Sequence, residues 1–295
     1  MPRTSLLILL SLLGFTQISP VAAQSYQTLT YYQDDDLQLD LDLFLPENQG
    51  NNPLPLVIYV HGGGFSSGER SAGHPFCEFM AGEGFVAASI SYTLYMQDKD
   101  FSCGGITGEK IKAMQYGAND LWLATSYLIG QRKTYRIDPS KIFIAGSSAG
   151  AETCFHAAFW NREQMKRYEH RLPDDFRYAG MIAGAGAIMD LNLITAQNRI
   201  PTLMFHGDQD RLVPYGTAAH HYCDPSATGW LMFFGSHSVF EHLRNMGETC
   251  SLLTYRDKGH EVAGILFDQN QEVISRFLKR VLDGEIFQEH AVLTD

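Results

Sequence analysis

Short apolar runs that alternate with helical stretches constrain the fold of this chain more than any other feature. Runs of this length and composition are typical of strands that are buried on both faces, as in a parallel sheet covered by helices. The predicted strands are 54–60, 85–92, 141–145, 178–183, 201–205 and 250–255. The predicted helices are 72–82, 109–131, 149–160 and 265–282. Such alternation predicts one α/β domain with a mainly parallel central sheet flanked by helices, here over residues 24–295.

An alternating pattern precedes these runs, at residues 27–32 and 37–45. Five leucines, at every second position from Leu37 to Leu45, fall on one face of the second segment, and Gln38, Asp40 and Asp42 fall on the other. A period of two with one polar face predicts an N-terminal antiparallel hairpin at the edge of the sheet, with one side in solvent.

The first 23 residues have the pattern of a secretory signal peptide. Arg3 is followed by an almost wholly apolar stretch, 5–15, and the segment closes on the small residues of 21–23. This pattern predicts cleavage after Ala23 and a secreted or periplasmic protein. The apolar stretch is short for a membrane span, so we expect no stable membrane insertion. The formal net charge of −11 also argues against a nucleic-acid partner, which would require a basic surface.

Export permits disulfide bonds, and the chain has five cysteines. An odd number leaves at least one of them free. Cys223 and Cys250 flank one loop-rich segment and are the pair expected first, and Cys77 with Cys103 is the weaker alternative.

Gly146-Ser147-Ser148-Ala149-Gly150 is a G-x-S-x-G motif between a predicted strand and a predicted helix. A sharp turn in this context exposes the central serine at the sheet edge, and the flanking glycines permit a close approach of the backbone. The positive end of the helix dipole then lies below the hydroxyl group. The motif therefore predicts Ser148 as a nucleophile.

Three consecutive glycines follow the strand 54–60, in the segment His61-Gly62-Gly63-Gly64-Phe65. Glycines after a buried strand let backbone N–H groups face inward and stabilise the negative oxygen that forms during acyl transfer. We expect an oxyanion hole made by the N–H groups of Gly63, Gly64 and Ala149. His61 is expected to brace this glycine loop.

The motifs HGGGF and GSSAG, followed by an aspartate-containing loop and a late Gly-His pair, resemble those of the α/β-hydrolase carboxylesterases. Within them, the chain is similar to the feruloyl-esterase-like group related to the hormone-sensitive-lipase esterases. The resemblance implies an α/β-hydrolase fold. The usual aspartate of GDSAG is Ser147 here. Only the edge hairpin precedes HGGG, so we expect no large cap domain.

The α/β-hydrolase order of Ser, then Asp or Glu, then His assigns the remaining catalytic residues. The segment 206–214 looks like the HGxxDxxVP segment of the family and maps the acid to Asp210, with Asp208 as the alternative. His260 follows the last predicted strand, where a loop reaches the same sheet edge as Ser148, and is the expected base.

These residues predict a serine esterase that acts through an acyl-enzyme and requires no metal ion or organic cofactor. The expected substrate is a small-molecule or polysaccharide-linked ester, with acetyl or feruloyl groups on carbohydrate implied by the resemblance. A serine peptidase of the same fold and a non-catalytic binding protein remain alternatives, and the oligomeric state stays open. Two long segments, 93–107 and 220–245, are predicted as loops that wall the substrate pocket.

Overall fold

The computed structural model describes residues 26–47, 50 and 52–294, so the predicted signal peptide lies outside the described residues. The strands are β1 Gln27–Gln33, β2 Gln38–Phe44, β3 Leu54–Val60, β4 Val86–Ile90, β5 Ile137–Ser147, β6 Gly180–Gly184, β7 Ala187–Ile188, β8 Thr202–Gly207, β9 Thr217–Ala219, β10 Met232–Gly235, β11 Cys250–Tyr255 and β12 Gln288–Leu293. The helices are α1 His74–Gly82, α2 Thr107–Gly130, α3 Arg132–Tyr135, α4 Ala149–Phe159, α5 Arg162–Met165, α6 Ser236–Asn245, α7 Ile265–Asp268 and α8 Gln271–Leu282.

Nine strands form the central sheet in the order β1-β2-β4-β3-β5-β6-β8-β11-β12. The seven central-sheet strands β4, β3, β5, β6, β8, β11 and β12 run parallel to one another, and β1 and β2 form antiparallel pairs at one edge. The predicted α/β class and the N-terminal hairpin are confirmed. Because β3, β5, β8 and β11 are parallel, the segments that follow them meet at the same edge of the sheet.

The central strands are buried on both faces, as their unbroken apolar sequences indicate. Ile58 and Ile144 pack on one face under α2 and α4, in a core that includes Trp122. Val57 and Phe143 point to the other face and pack with side chains of α1, α7 and α8. Each large apolar side chain that is fully buried contributes roughly 1.5–3 kcal/mol, so the two cores hold the sheet rigid beneath its loops.

The polar face of β2 is less exposed than its alternation predicted. The Asp42 side chain is buried and accepts hydrogen bonds from Thr28 Oγ1 at 2.7 Å and Arg70 Nε at 2.8 Å. His74 Nε2 lies 2.8 Å from the same carboxylate. The turn before α1 and the start of α1 cover this part of the hairpin, so the side predicted to be in solvent is buried at Asp42 while Gln38 stays exposed.

The segment 220–245 is also more ordered than a loop. It contains β10, which pairs with β7 and β9 in a separate three-stranded sheet, and the helix α6. The apolar spacing of Val239, Phe240 and Leu243 was an available helix signal. The predicted helix 265–282 is divided in two by Asn270, whose φ of 58° is left-handed. Strand β12 was not predicted.

One disulfide joins Cys103 to Cys223, so both predicted pairings were wrong. Cys250 begins β11 and is buried, with its Sγ 4.0 Å from the Phe240 carbonyl oxygen. Cys77 is buried in α1 on the other side of the sheet. Their strand and helix hold these two thiols in the core, whereas Cys103 and Cys223 lie on two irregular segments that come together.

We predict that only the free cysteines react with a thiol reagent in denaturant without reductant. These are Cys77, Cys154 and Cys250, three thiols, and reduction should raise the number to five. Because the disulfide closes a long loop, Cys103→Ser/Cys223→Ser should lower the free energy of unfolding by about 2–4 kcal/mol. Reductant should not destabilise this double variant further. Five reactive thiols before reduction would contradict the pairing.

Candidate active site

Ser148 has the strained backbone that a sharp strand-to-helix turn imposes, with φ 52° and ψ −124°. The flanking glycines make this turn sterically possible. A Cβ on Gly150 would lie 2.1 Å from the Val60 carbonyl oxygen of β3, and one on Gly146 would lie 2.4 Å from the carbonyl carbon of Gly150. The motif therefore packs β5, α4 and β3 backbone to backbone, and the turn presents the Ser148 side chain at the sheet edge.

The structure brings Ser148, Asp210 and His260 together from the ends of β5, β8 and β11. His260 Nε2 lies 2.7 Å from Ser148 Oγ, and His260 Nδ1 lies 2.6 Å from Asp210 Oδ2. The Asp210 side chain is fully buried, whereas the His260 side chain keeps 22% of its surface exposed. This chain of hydrogen bonds has the geometry that a general base needs to deprotonate a serine.

A second imidazole also approaches the Asp210 carboxylate. His206 Nε2 lies 3.2 Å from Asp210 Oδ2, and its Nδ1 lies 2.9 Å from Ser236 Oγ. The backbone N–H groups of Leu212 and Val213 donate to Oδ1 at 2.8 and 3.0 Å. Burial alone would raise the pKa of Asp210, but the hydrogen bonds from His206 and His260 hold that pKa well below its usual range.

Sequence reasoning missed the contact between His206 and Asp210. The available signal was the spacing of four residues between the histidine at the end of β8 and the aspartate in the following turn. The alternative acid, Asp208, does not reach His260 in this arrangement. Its Oδ1 accepts a hydrogen bond from the Asp257 N–H at 2.8 Å and so fixes the turn after β11.

The glycine loop after β3 lies beside the predicted nucleophile. A Cβ on Gly62 would approach Ser148 Cβ to 3.3 Å. Gly63 and Gly64 have positive φ values of 111° and 61°, which glycine adopts without strain. Ala149 is the first residue of α4, so its N–H has no acceptor within the helix. The three N–H groups predicted to form an oxyanion hole thus come from the two backbone segments that flank Ser148.

His61 braces the glycine loop, as its position suggested. Its Nδ1 lies 2.7 Å from the Gly62 carbonyl oxygen, and its ring packs on Tyr92 at 4.5 Å. Burial lowers the pKa of His61, which favours a neutral ring. The Tyr92 hydroxyl donates to the His61 carbonyl oxygen at 3.1 Å. These contacts fix the path of the backbone into the three glycines.

Among residues 26–47, 50 and 52–294, no helix has the length and apolar character needed to cross a membrane. In the same ranges, no group of three or more His, Cys, Asp or Glu side chains is arranged to hold a metal ion.

A mainly parallel sheet with a strained serine between β5 and α4, followed in order by an aspartate and a histidine, defines the α/β-hydrolase fold. The family model named BD-FAE matches residues 41–196, which is more than half of the chain. The chain belongs to this family.

Known proteins of similar sequence and structure agree with that fold. Apo Thermogutta terrifontis esterase 2 has a TM-score of 0.63 and 16% identity, with 89% of this chain and 96% of that chain covered. Probable carboxylesterase 1 of Arabidopsis thaliana is 29% identical over 49% of this chain and 44% of its own length. A non-reducing polyketide synthase of Stereocaulon alpinum, atr1, is 26% identical over 52% of this chain but only 6% of its own length. The chain therefore spans less than half of these two curated relatives.

We predict that Gly150→Ala destabilises the protein because its Cβ would collide with the β3 backbone. The expected loss in free energy of unfolding is roughly 1–3 kcal/mol, measured by denaturant titration. Gly130→Ala is the matched control, since Gly130 ends α2 with no heavy atom within 4 Å of an added Cβ. This second variant should be as stable as the wild type or gain up to about 1 kcal/mol. Equal stability of both variants would contradict the close approach.

The lowered pKa of Asp210 predicts how stability depends on pH. A carboxylate with a depressed folded-state pKa stabilises the protein above its unfolded pKa, near 4, and this contribution is lost as the pH falls further. Between about pH 4 and pH 2 the unfolding free energy of the wild type should therefore fall more steeply than that of Asp210→Asn. Asp208→Asn, which keeps the Asp210 hydrogen bonds, should follow the wild type. Parallel curves for Asp210→Asn and the wild type would contradict the assignment.

Proposed function

We propose that this protein is a serine esterase that hydrolyses carboxylic esters through an acyl-enzyme on Ser148. The observation that carries the proposal is the continuous hydrogen-bonded chain from Ser148 Oγ through His260 to the buried Asp210 carboxylate. Membership of the BD-FAE family and the esterase names of several relatives support ester hydrolysis.

The mechanism follows from the positions of these groups. His260 Nε2 accepts the proton of Ser148 Oγ as that oxygen attacks the ester carbonyl carbon. Asp210 accepts a hydrogen bond from His260 Nδ1, which holds the tautomer and stabilises the imidazolium that forms. The N–H groups of Gly63, Gly64 and Ala149 stabilise the oxyanion. His260 then protonates the departing alcohol and activates the water that hydrolyses the acyl-enzyme.

The structural neighbours suggest suitable probes. Thermogutta terrifontis esterase 2 is described as phosphorylated by paraoxon, and also as bound to propionate and to butyrate. We extend both properties to this chain as a proposal: modification of Ser148 by paraoxon and a preference for short acyl groups.

The finer proposal concerns the substrate and the compartment. Tyr222 and Trp230, on a segment beside the site, expose 44% and 37% of their surface, and exposed aromatic rings offer flat apolar surface to sugar rings. They support a carbohydrate-linked acetyl or feruloyl ester as substrate.

The Cys103–Cys223 disulfide supports export through the predicted signal peptide, because disulfides persist in oxidising compartments.

Hydrolysis of 4-nitrophenyl esters from acetate to decanoate, together with methyl ferulate, tests the proposal. Ser148→Ala should lower kcat by about 10⁴-fold or more while leaving the fold intact. Ser147→Ala is the matched control, since Ser147 is the neighbouring residue of the motif and its Oγ lies 3.3 Å from the Tyr59 hydroxyl. This variant should keep activity within a few-fold of the wild type.

Mass spectrometry after paraoxon treatment identifies the reactive residue independently of turnover. Phosphorylation should occur on the peptide that carries Ser148 in the wild type and be absent in Ser148→Ala. A folded wild type that cleaves no ester and takes no label would refute the esterase proposal, and peptide substrates would then be the next class to test.

A further inference from the structure

Two buried titratable side chains beside the site take no part in the mechanism described above. Glu152 and His220 are each 1% exposed, and Glu152 Oε1 lies 3.1 Å from His220 Nε2. Their orientation does not make this contact a hydrogen bond. Glu152 Oε1 and both ring nitrogens of His220 are therefore buried atoms without a hydrogen-bond partner among the described residues. Unsatisfied buried polar atoms are rare in proteins, so this pair is a polar group held in the wall without the usual hydrogen bonds.

This pair lies directly behind the predicted nucleophile. Glu152 is one turn after Ser148 in α4, and its N–H donates to the Ser148 carbonyl oxygen at 3.0 Å. Lys110 supplies a buried positive charge nearby, and its Nζ donates to the Gly229 carbonyl oxygen at 2.7 Å. Burial lowers the pKa of Lys110, and the charges of Asp100 and Glu152 oppose that shift.

His221 extends this polar wall beyond His220. Its half-buried ring stacks on His220 with a centroid distance of 4.4 Å and an interplanar angle of 27°. Its backbone is left-handed, with φ 56° and ψ 15°, a conformation that is uncommon for non-glycine residues but that histidine adopts more readily than most. The His221 N–H donates to the Leu212 carbonyl oxygen at 2.9 Å, which ties the residue to the loop that holds Asp210.

Neighbouring structure holds His221 in this position. Cys223 lies two residues after His221, and its disulfide bond to Cys103 joins the segment around His221 to the loop 93–106. Phe101 of that loop packs on His221 at 6.0 Å and on Phe65 of the glycine loop at 5.2 Å. His221 is thus connected through Phe101 to the glycine loop and through Leu212 to the loop that holds Asp210.

The charge state of His221 determines what it can bind. Burial is the main cause that lowers its pKa to about 4; electrostatic interactions with His220, Lys110 and His260 act in the same direction, and that with Glu152 acts against it. At neutral pH the ring is therefore uncharged, with one N–H donor and one nitrogen acceptor. A hydroxyl group, which both donates and accepts, complements such a ring better than a carboxylate or an ammonium group does.

We propose that His221 is a specificity-determining residue that hydrogen-bonds a hydroxyl group of the substrate beside the scissile ester, with the Glu152–His220 pair as the polar support behind it. The hydroxyl belongs to the acyl or to the alcohol part of the ester. This inference rests on the proposed ester hydrolysis and identifies the class of ester that the site selects.

Two pairs of isosteric esters measure this preference. On the alcohol side, 2-hydroxyethyl acetate is compared with propyl acetate, and on the acyl side methyl glycolate with methyl propanoate. Each pair differs only in a hydroxyl against a methyl group. The quantity followed is the ratio of kcat/KM for the hydroxylated ester to that for its isostere, compared between wild type and variants so that intrinsic reactivity cancels.

Two variants remove the ring of His221, and one preserves hydrogen bonding. His221→Gly suits the positive φ, and His221→Leu retains bulk against His220. Either should lower the ratio in at least one pair by about 10-fold, mainly through KM for the hydroxylated ester. His221→Asn, whose amide donates and accepts and tolerates the left-handed conformation, should recover part of the ratio. Asn270→Gly, a positive-φ position at the start of α8, is the control and should leave both ratios unchanged.

The outcomes separate this inference from the function on which it rests. A reduced ratio for the acetates places the hydroxyl in the alcohol part, and a reduced ratio for the methyl esters places it in the acyl part. If a folded wild type hydrolyses these esters and neither ratio changes in His221→Gly or His221→Leu, the inference is overturned while the esterase proposal stands. If the wild type cleaves none of them, the esterase proposal fails and the inference fails with it.

Discussion

The site depends on one close contact, between the backbone of Gly150 and the carbonyl oxygen of Val60. An added Cβ would come within 2.1 Å of that oxygen, so the first turn of α4 can lie against β3 only because residue 150 lacks a side chain. This contact holds the turn in which Ser148 adopts its strained conformation. It also brings the start of α4 next to the glycine loop that follows β3. The packing of one glycine thus sets the geometry of both the serine and the surrounding N–H groups.

The order of the strands completes the site around that turn. Because β5, β8 and β11 are parallel and close in the sheet, Ser148, Asp210 and His260 leave it at the same edge. Asp210 carries a charge in a buried place, which would be unfavourable without compensation. Two imidazoles and two backbone N–H groups supply it. The same hydrogen bonds that keep the carboxylate ionised therefore also fix it toward His260.

Much of this arrangement could be predicted because it rests on local sequence patterns. Apolar runs predicted the parallel strands of the central sheet except β12, and the motif around Ser148 needs only its strand, turn and helix. Contacts between distant segments were less accessible. The Cys103–Cys223 pairing depends on how two irregular segments meet, and the burial of Asp42 depends on where α1 packs against the hairpin. The contact of His206 with Asp210 lay between these cases, because the spacing was visible but the turn geometry was not.

The segment 220–245 shows why a lack of regular pattern is a poor guide to a lack of structure. Its one strand, β10, is short, and the helix signal of Val239, Phe240 and Leu243 is confined to α6, so no single periodicity runs through the segment. Yet β10 pairs with β7 and β9, and α6 packs its apolar side chains into the core. The polar side chains that obscured the pattern, His220 and His221 among them, lie where the segment meets α4. A wall held by a small sheet and a disulfide can keep polar groups buried that a mobile loop would expose to water.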